Sequence, residues 1–122
     1  MILSAALLAA ASVLQPGPDW RGLADNEDVQ MMWDAAGVSR EGDLTVVAVR
    51  IRPKPLRTGE NAYAIARIEM RCARNESRVA HTQNFGSNDR PGARDDSNLS
   101  FVEIPAGSFI ETLRDNVCPP RR

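Results

Sequence analysis

The chain has 122 residues, 43% of them apolar and 25% charged, enough for one domain with one modest core, and a composition that excludes intrinsic disorder. Its net charge is −1, so no global field steers it onto nucleic acid or an anionic membrane. Fourteen arginines stand against a single lysine, Lys54; with the abundant alanine and glycine, this reads as the mark of a GC-rich bacterial genome.

Residues 1–14 carry no charged side chain and almost no polarity. As a helix they would reach roughly 21 Å, short of the ~30 Å hydrocarbon core, so no membrane span is expected. Ala9, Ala10 and Ala11 supply the small residues a signal peptidase needs, and Gln15-Pro16-Gly17-Pro18 breaks any helix. Residues 1–14 are therefore expected to be a signal peptide cleaved near Ala11/Ser12, residues 15–18 a linker, and residues 19–122 an exported domain, periplasmic or on the cell surface. The alternative, an N-terminal core helix, draws on the missing basic segment ahead of the apolar run.

Residues 19–24 predict a short first strand, followed by the acidic turn at Asp25-Asn26-Glu27-Asp28. Residues 29–34 read two ways. Val29, Met31 and Trp33 alternate as in a strand, whereas Val29, Met32, Trp33 and Ala36 fit a helical stripe; the strand is preferred. Residues 43–52 are dense in β-branched side chains, begin at the Glu41-Gly42-Asp43 turn and end at Pro53 and Pro55, which makes them the strongest strand signal. Residues 62–74 alternate, with Ala62, Ala64, Ala66, Ile68, Met70 and Cys72 on one face and Tyr63, Ile65, Arg67, Glu69 and Arg71 on the other. A tight turn at Asn75-Glu76 folds residues 77–85 back as the second arm of a hairpin.

Residues 86–98 are polar and rich in Gly and Asp, so a long exposed loop is expected there, with a short edge strand somewhere in residues 99–104. Ser108-Phe109-Ile110-Glu111 is a capping box. The Ser108 oxygen should accept a helix N–H, and Glu111 should reach back to the N–H of Ser108 itself. Phe109, Leu113 and Val117 recur every four residues as the stripe of a short helix that ends at Cys118 before Pro119-Pro120. The predicted class is α+β, an antiparallel sheet of about five or six strands with one C-terminal helix.

The two cysteines, Cys72 and Cys118, form no C-x-x-C pair and neither stands beside a histidine in sequence, which argues against redox and zinc motifs. In an oxidising compartment such a pair becomes a disulfide; the alternative is two inert buried thiols. The bridge would tie the sheet to the end of the helix.

The single histidine, His81, lies on a hairpin arm, and with both cysteines committed no nucleophile but a serine or threonine remains for it. The carboxylate pairs Asp95-Asp96 and Glu27-Asp28 sit in polar loops with nothing apolar to raise a pKa, and neither has EF-hand spacing. No catalytic residue, metal ligand or cofactor site is therefore expected. Arg50 and Arg52 on one strand and Arg67 and Arg71 on its neighbour project to one outer face, the candidate binding face. Glu69 among them favours a salt-bridged solvated surface over a polyanion site.

The segment Ile104-Pro105-Ala106-Gly107-Ser108 with Glu111, Leu113, Val117 and Cys118, preceded by Cys72 in a strand, by Trp20 and by Trp33-Asp34, resembles the surface-adhesin protein E family over most of residues 19–122. The resemblance implies an antiparallel sheet with a disulfide-attached C-terminal helix. It also implies a non-enzymatic, adhesin-like role in binding an unidentified protein partner. The chain departs from the lipoprotein members in having no cysteine at a lipobox position, so a lipid anchor is unsupported. The alternative role is a structural or accessory envelope subunit without a soluble ligand.

Overall fold

The computed structural model describes residues 17–55, 59–97 and 99–120. The expected signal peptide and the first two linker residues lie outside the described residues. Strands β1 (Trp20–Asp25), β2 (Val29–Asp34), β3 (Ser39–Glu41), β4 (Leu44–Pro53), β5 (Tyr63–Arg71), β6 (Glu76–Phe85), β7 (Pro91–Asp95) and β8 (Val102–Glu103) precede one helix, α1 (Phe109–Val117). The sheet runs β1-β2-β4-β5-β6-β7, with β3 also on β4 and β8 also on β6, and every pairing is antiparallel. The α+β architecture and the disulfide are present, but among the described residues the sheet has eight strands and not five or six.

Two strands account for the difference. β2 pairs with β4 only from Val49 to Pro53, which leaves the first half of β4 free, and β3 pairs there through Ser39↔Val46 and Glu41↔Leu44. The hairpin between β3 and β4 turns at Gly42, whose φ of 64° costs a glycine nothing. On the far side, β7 takes Thr82 to Phe85 of β6, and β8 takes Glu76 and Ser77. The segment read as a long loop therefore contains an edge strand. All five of its residues are exposed, and Pro91, Arg94 and Asp95 blunt that edge against further pairing.

β4 and β5 form the centre. Thr45, Val47 and Val49 of β4 oppose Met70, Ile68 and Ala66 of β5, and all six side chains are buried. Helix α1 closes this inner face with Leu113 and Val117, joined by Trp33 from β2 and flanked by Ile110, Met31, Ile51 and Val79. The row of the helix that faces the sheet is Leu113 and Val117, both buried, with Ile110 half-buried beside them. Phe109, expected in that row, is 40% exposed, because it lies one position, about 100° of helix rotation, off the centre of the stripe.

The helix is tied at both ends. Ser108 Oγ accepts the N–H of Glu111 at 3.2 Å. The Glu111 carboxylate accepts the N–H of Gly107 at 3.1 Å, not that of Ser108, which is already directed at the Pro105 carbonyl at 3.4 Å. A φ of 78° at Gly107 presents its N–H instead. At the C-terminus, Arg40 of β3 donates to the Val117 carbonyl at 3.1 Å and to Thr45 Oγ1 at 2.6 Å, satisfying an orphan carbonyl and complementing the helix dipole. Cys72 is joined to Cys118 with the Cα atoms 5.8 Å apart. Cys72 does not continue β5; it opens a 3₁₀ turn, Cys72–Arg74, that ends at Asn75 in the left-handed region. Since a disulfide sulfur carries no proton, the buried Thr45 hydroxyl is the donor in its 3.3 Å contact with Cys72 Sγ.

Ser108→Ala should cost about 1 kcal/mol, since the Glu111 N–H loses its acceptor. The urea midpoint reads this directly; equal midpoints for variant and wild type would mean that the cap contributes nothing.

Candidate binding face

With the helix on one side, the opposite face of the sheet carries the outward residues of each strand. On β4 these are Val46, Ala48, Arg50 and Arg52; on β5 they are Tyr63, Ile65, Arg67, Glu69 and Arg71. The register sets Met32, Arg50, Ile65 and Gln83 side by side across β2, β4, β5 and β6. In the same way it sets Val46, Glu69 and Arg78 in one transverse row and Ala48, Arg67 and His81 in another. The four arginines predicted to share a face do so, but they belong to two chemically different halves.

The half toward β3 and β8 is internally neutralised. The Glu69 side chain, 7% exposed, is held by Arg78 Nε at 2.7 Å and by Arg67 Nε at 3.0 Å, and Arg67 also reaches Glu41 at 3.2 Å. Burial alone would raise the Glu69 carboxyl, but the bonds from Arg78 and Arg67 outweigh it and hold the carboxyl below its ordinary value. The bond to Glu69 correspondingly raises Arg67. Arg71 meets Glu76 at 3.5 Å and Asp43 at 4.0 Å. The second distance is too long for a hydrogen bond, and Arg71 Nε is left without one. Its guanidinium instead stacks 3.9 Å from the centre of the Phe101 ring, which Arg78 also approaches at 4.6 Å. This surface is salt-bridged and half-buried, with Glu69 at its buried centre and the surrounding side chains still in partial contact with solvent.

Glu69→Gln should therefore destabilise the fold by about 2 kcal/mol, a figure discounted from that of a fully buried pair because both arginines keep some solvent contact. A depressed folded pKa means that the contribution is present above the ordinary glutamate value of about 4.5 and disappears as pH falls through the lower folded value. Between about pH 5 and pH 3 the wild type should lose more stability than Glu69→Gln. Parallel losses in urea titrations at the two pH values would contradict this pairing.

The half toward β1 and the chain-reversal end of β6 is built from arginines and aromatic rings. The Arg50 guanidinium lies 4.9 Å from the centre of the Trp20 ring, and that of Arg52 lies 5.5 Å from Tyr63. Tyr63 stacks on Phe85, with centroids 5.2 Å apart and planes 9° from parallel. The Tyr63 hydroxyl donates to Asp89 at 2.7 Å, a bond that raises the phenol above its usual value. Arg50 donates to Met32 Sδ at 3.0 Å. Burial, and after it the neighbouring Arg52, lowers Arg50 from the ordinary arginine value. Among the described residues no carboxylate pairs with Arg50 or Arg52. Sequence reading named both arginines but not this setting; the one signal was the Arg50-x-Arg52 spacing, which puts both on one face.

His81 stands opposite Arg67 beside the bulged residue Ala80, and its Nδ1 is buried without a hydrogen-bond partner. The shallow cavity there, about 370 Å³, is lined by Arg67, Glu69, Arg78, His81 and Asp96; Arg67 and Arg78 pair with Glu69, and Asp96 pairs with Arg94. A wider groove of about 840 Å³ runs beside Cys72, between Arg40, Asp43, Arg74 and Glu103, with acids and bases interspersed and no convergent set. Among the described residues no group of three or more His, Cys, Asp or Glu is placed to hold a metal ion, and no helix is long and apolar enough to cross a membrane. Comparison with protein-family models, with curated proteins and with solved structures returns no match.

Proposed function

We propose that this protein is a non-enzymatic binding module of the bacterial cell envelope, exported and of the surface-adhesin protein E type, and that it engages a protein partner through the outer face of its sheet. The observation that carries the reading is the half-face built from Trp20, Arg50, Arg52, Tyr63 and Phe85. Its rings and guanidinium groups are only half-buried, and among the described residues its cations have no acid paired with them. Trp, Tyr and Arg are the residues that dominate the energetics of protein interfaces, because each offers a large rigid contact with a polar edge. The disulfide supports an oxidising compartment, and an exported chain processed as the sequence suggests would begin near Ser12.

The test is capture by immobilised mature protein from envelope extract and from purified matrix proteins, with Trp20→Ala and Tyr63→Ala in parallel. Retention of a partner by the wild type and its loss in both variants is the expected result. Undiminished capture by both variants would remove the outer face from the reading. Intact Met1 on protein recovered from the periplasm would count against export by signal cleavage. A partner found only among the cell's own envelope proteins would favour the accessory-subunit role.

A further inference from the structure

Resting on that reading, we infer that the partner presents an extended acidic segment, whose alternate carboxylates pair with Arg50 and Arg52 while their stems lie over Trp20 and Tyr63. Three observations converge on it. First, a guanidinium carries five N–H donors and no acceptor. The hydrogen bond that Arg50 makes goes to the thioether of Met32, a weak acceptor. Arg67, Arg71 and Arg78 on the same face each have a carboxylate. Among the described residues, then, acids pair with the arginines of one half of the face and not with those of the other.

Second, Arg50 and Arg52 are two residues apart on one strand, so their Cα atoms lie about 7 Å apart. Carboxylates two residues apart in an extended peptide repeat at the same interval. Each arginine is also braced by a ring, Trp20 or Tyr63, so little side-chain freedom is lost when a carboxylate is taken up, and a planar fork can bind it bidentately.

Third, the surroundings select a short acidic stretch over a polyanion. Asp34 lies across from Trp20, Asp25 pairs with Lys54, and Asp89 holds the Tyr63 hydroxyl. These acids are already engaged within the protein, and the chain as a whole carries a charge of −1. A long sulfated or phosphorylated polymer would run on past the two cations over a chain of net negative charge, whereas a segment with two carboxylates ends on them.

The experiment is an NMR titration of the full mature protein with the blocked peptide acetyl-Leu-Glu-Leu-Glu-Leu-amide, beside its glutamine counterpart and a heparin hexasaccharide. The acidic peptide should shift the Trp20 indole N–H and the Arg50 and Arg52 Nε–H signals. Replacing its two glutamates by glutamine should weaken binding about tenfold, as expected for lost charge-assisted bonds. Arg50→Gln and Arg52→Gln should each weaken it comparably, and Arg94→Gln on the β7 edge should not. The peptide comparison uses unmodified protein, so it stands even where an arginine variant folds poorly. Equal binding of both peptides, no binding at millimolar peptide, shifts elsewhere on the surface, or tighter binding of heparin to these residues would each overturn the inference. A partner captured equally well by Arg50→Gln and Arg52→Gln would defeat the acidic-segment inference and leave the module reading standing. Peptide binding as stated with no protein captured would defeat the module reading alone.

Discussion

Opening the Cys72–Cys118 bridge should lower stability by about 4 kcal/mol, the chain-entropy value for freeing a loop of 46 residues in the unfolded state. That is a large share of the roughly 5–15 kcal/mol a domain of this size possesses. Denaturant midpoints of oxidised protein and of the Cys72→Ala/Cys118→Ala variant give the difference, and mass spectrometry should find the oxidised form about 2 Da lighter than the reduced one, the mass of the two thiol hydrogens. The order of loosening is also defined. The strands keep their ladders after reduction, whereas α1 retains only its apolar row, the Arg40 bond to Val117 and the bond from Arg114 to Asn75. Amide exchange should therefore lose protection first from Phe109 to Val117. Two free thiols in carefully oxidised native protein, or uniform loss of protection across sheet and helix, would contradict this account.

What could be read from the sequence was what side-chain periodicity encodes. β4 and β5 announce themselves because their inward residues meet a core, and Ser108 with Glu111 marks a helix start by local chemistry. β3 and β7 announce nothing. Ser39-Arg40-Glu41 and the residues from Pro91 to Asp95 are exposed throughout, so no burial pattern is written into them. They become strands because β2 and β8 leave half of β4 and most of β6 with unpaired backbone groups, and a buried N–H or C=O must find a partner. The helix row shifted from Phe109 to Ile110 for a related reason. The disulfide at Cys118 and the Arg40 cap fix the rotation of α1, and both involve residues remote in sequence.

The candidate face follows the same division. Strand alternation alone places Arg50, Arg52, Arg67 and Arg71 together, because register preserves sides. It does not say which of them are neutralised. Glu41 arrives from β3, a strand without a sequence signal, and Phe101 arrives from a segment 30 residues beyond Arg71 to cover that half. Trp20 and Met32 come from β1 and β2 to support Arg50 without discharging it. The contrast between an internally neutralised half and an open aromatic half with cations unpaired among the described residues is a tertiary property, and it is the contrast on which the functional proposal rests.

Leu113→Ala is the substitution expected to cost most among single core changes, about 3 kcal/mol within the usual range for a buried leucine. Leu113 has no solvent exposure and packs in the cluster formed by Trp33, Val47, Val49, Ile68 and Met70. The sheet beneath it is held by ladders on both sides, and α1 is pinned at Cys118, so neither wall can move in to fill the space and the cavity term is fully felt. Phe109→Ala, four residues earlier on a side chain 40% exposed, should cost less than about 1 kcal/mol. Urea midpoints of the two variants separate the row Ile110–Leu113–Val117 from the row Phe109–Leu113–Val117, since equal losses would restore Phe109 to the core. The two largest effects should also couple. Once the bridge is opened and the helix undocks at lower cost, burial of Leu113 matters less, so Leu113→Ala should cost at least about 1 kcal/mol less without the disulfide than with it. Strict additivity in that double-mutant cycle would mean that α1 stays docked without its covalent tie, and that Leu113 rather than Cys118 holds it to the sheet.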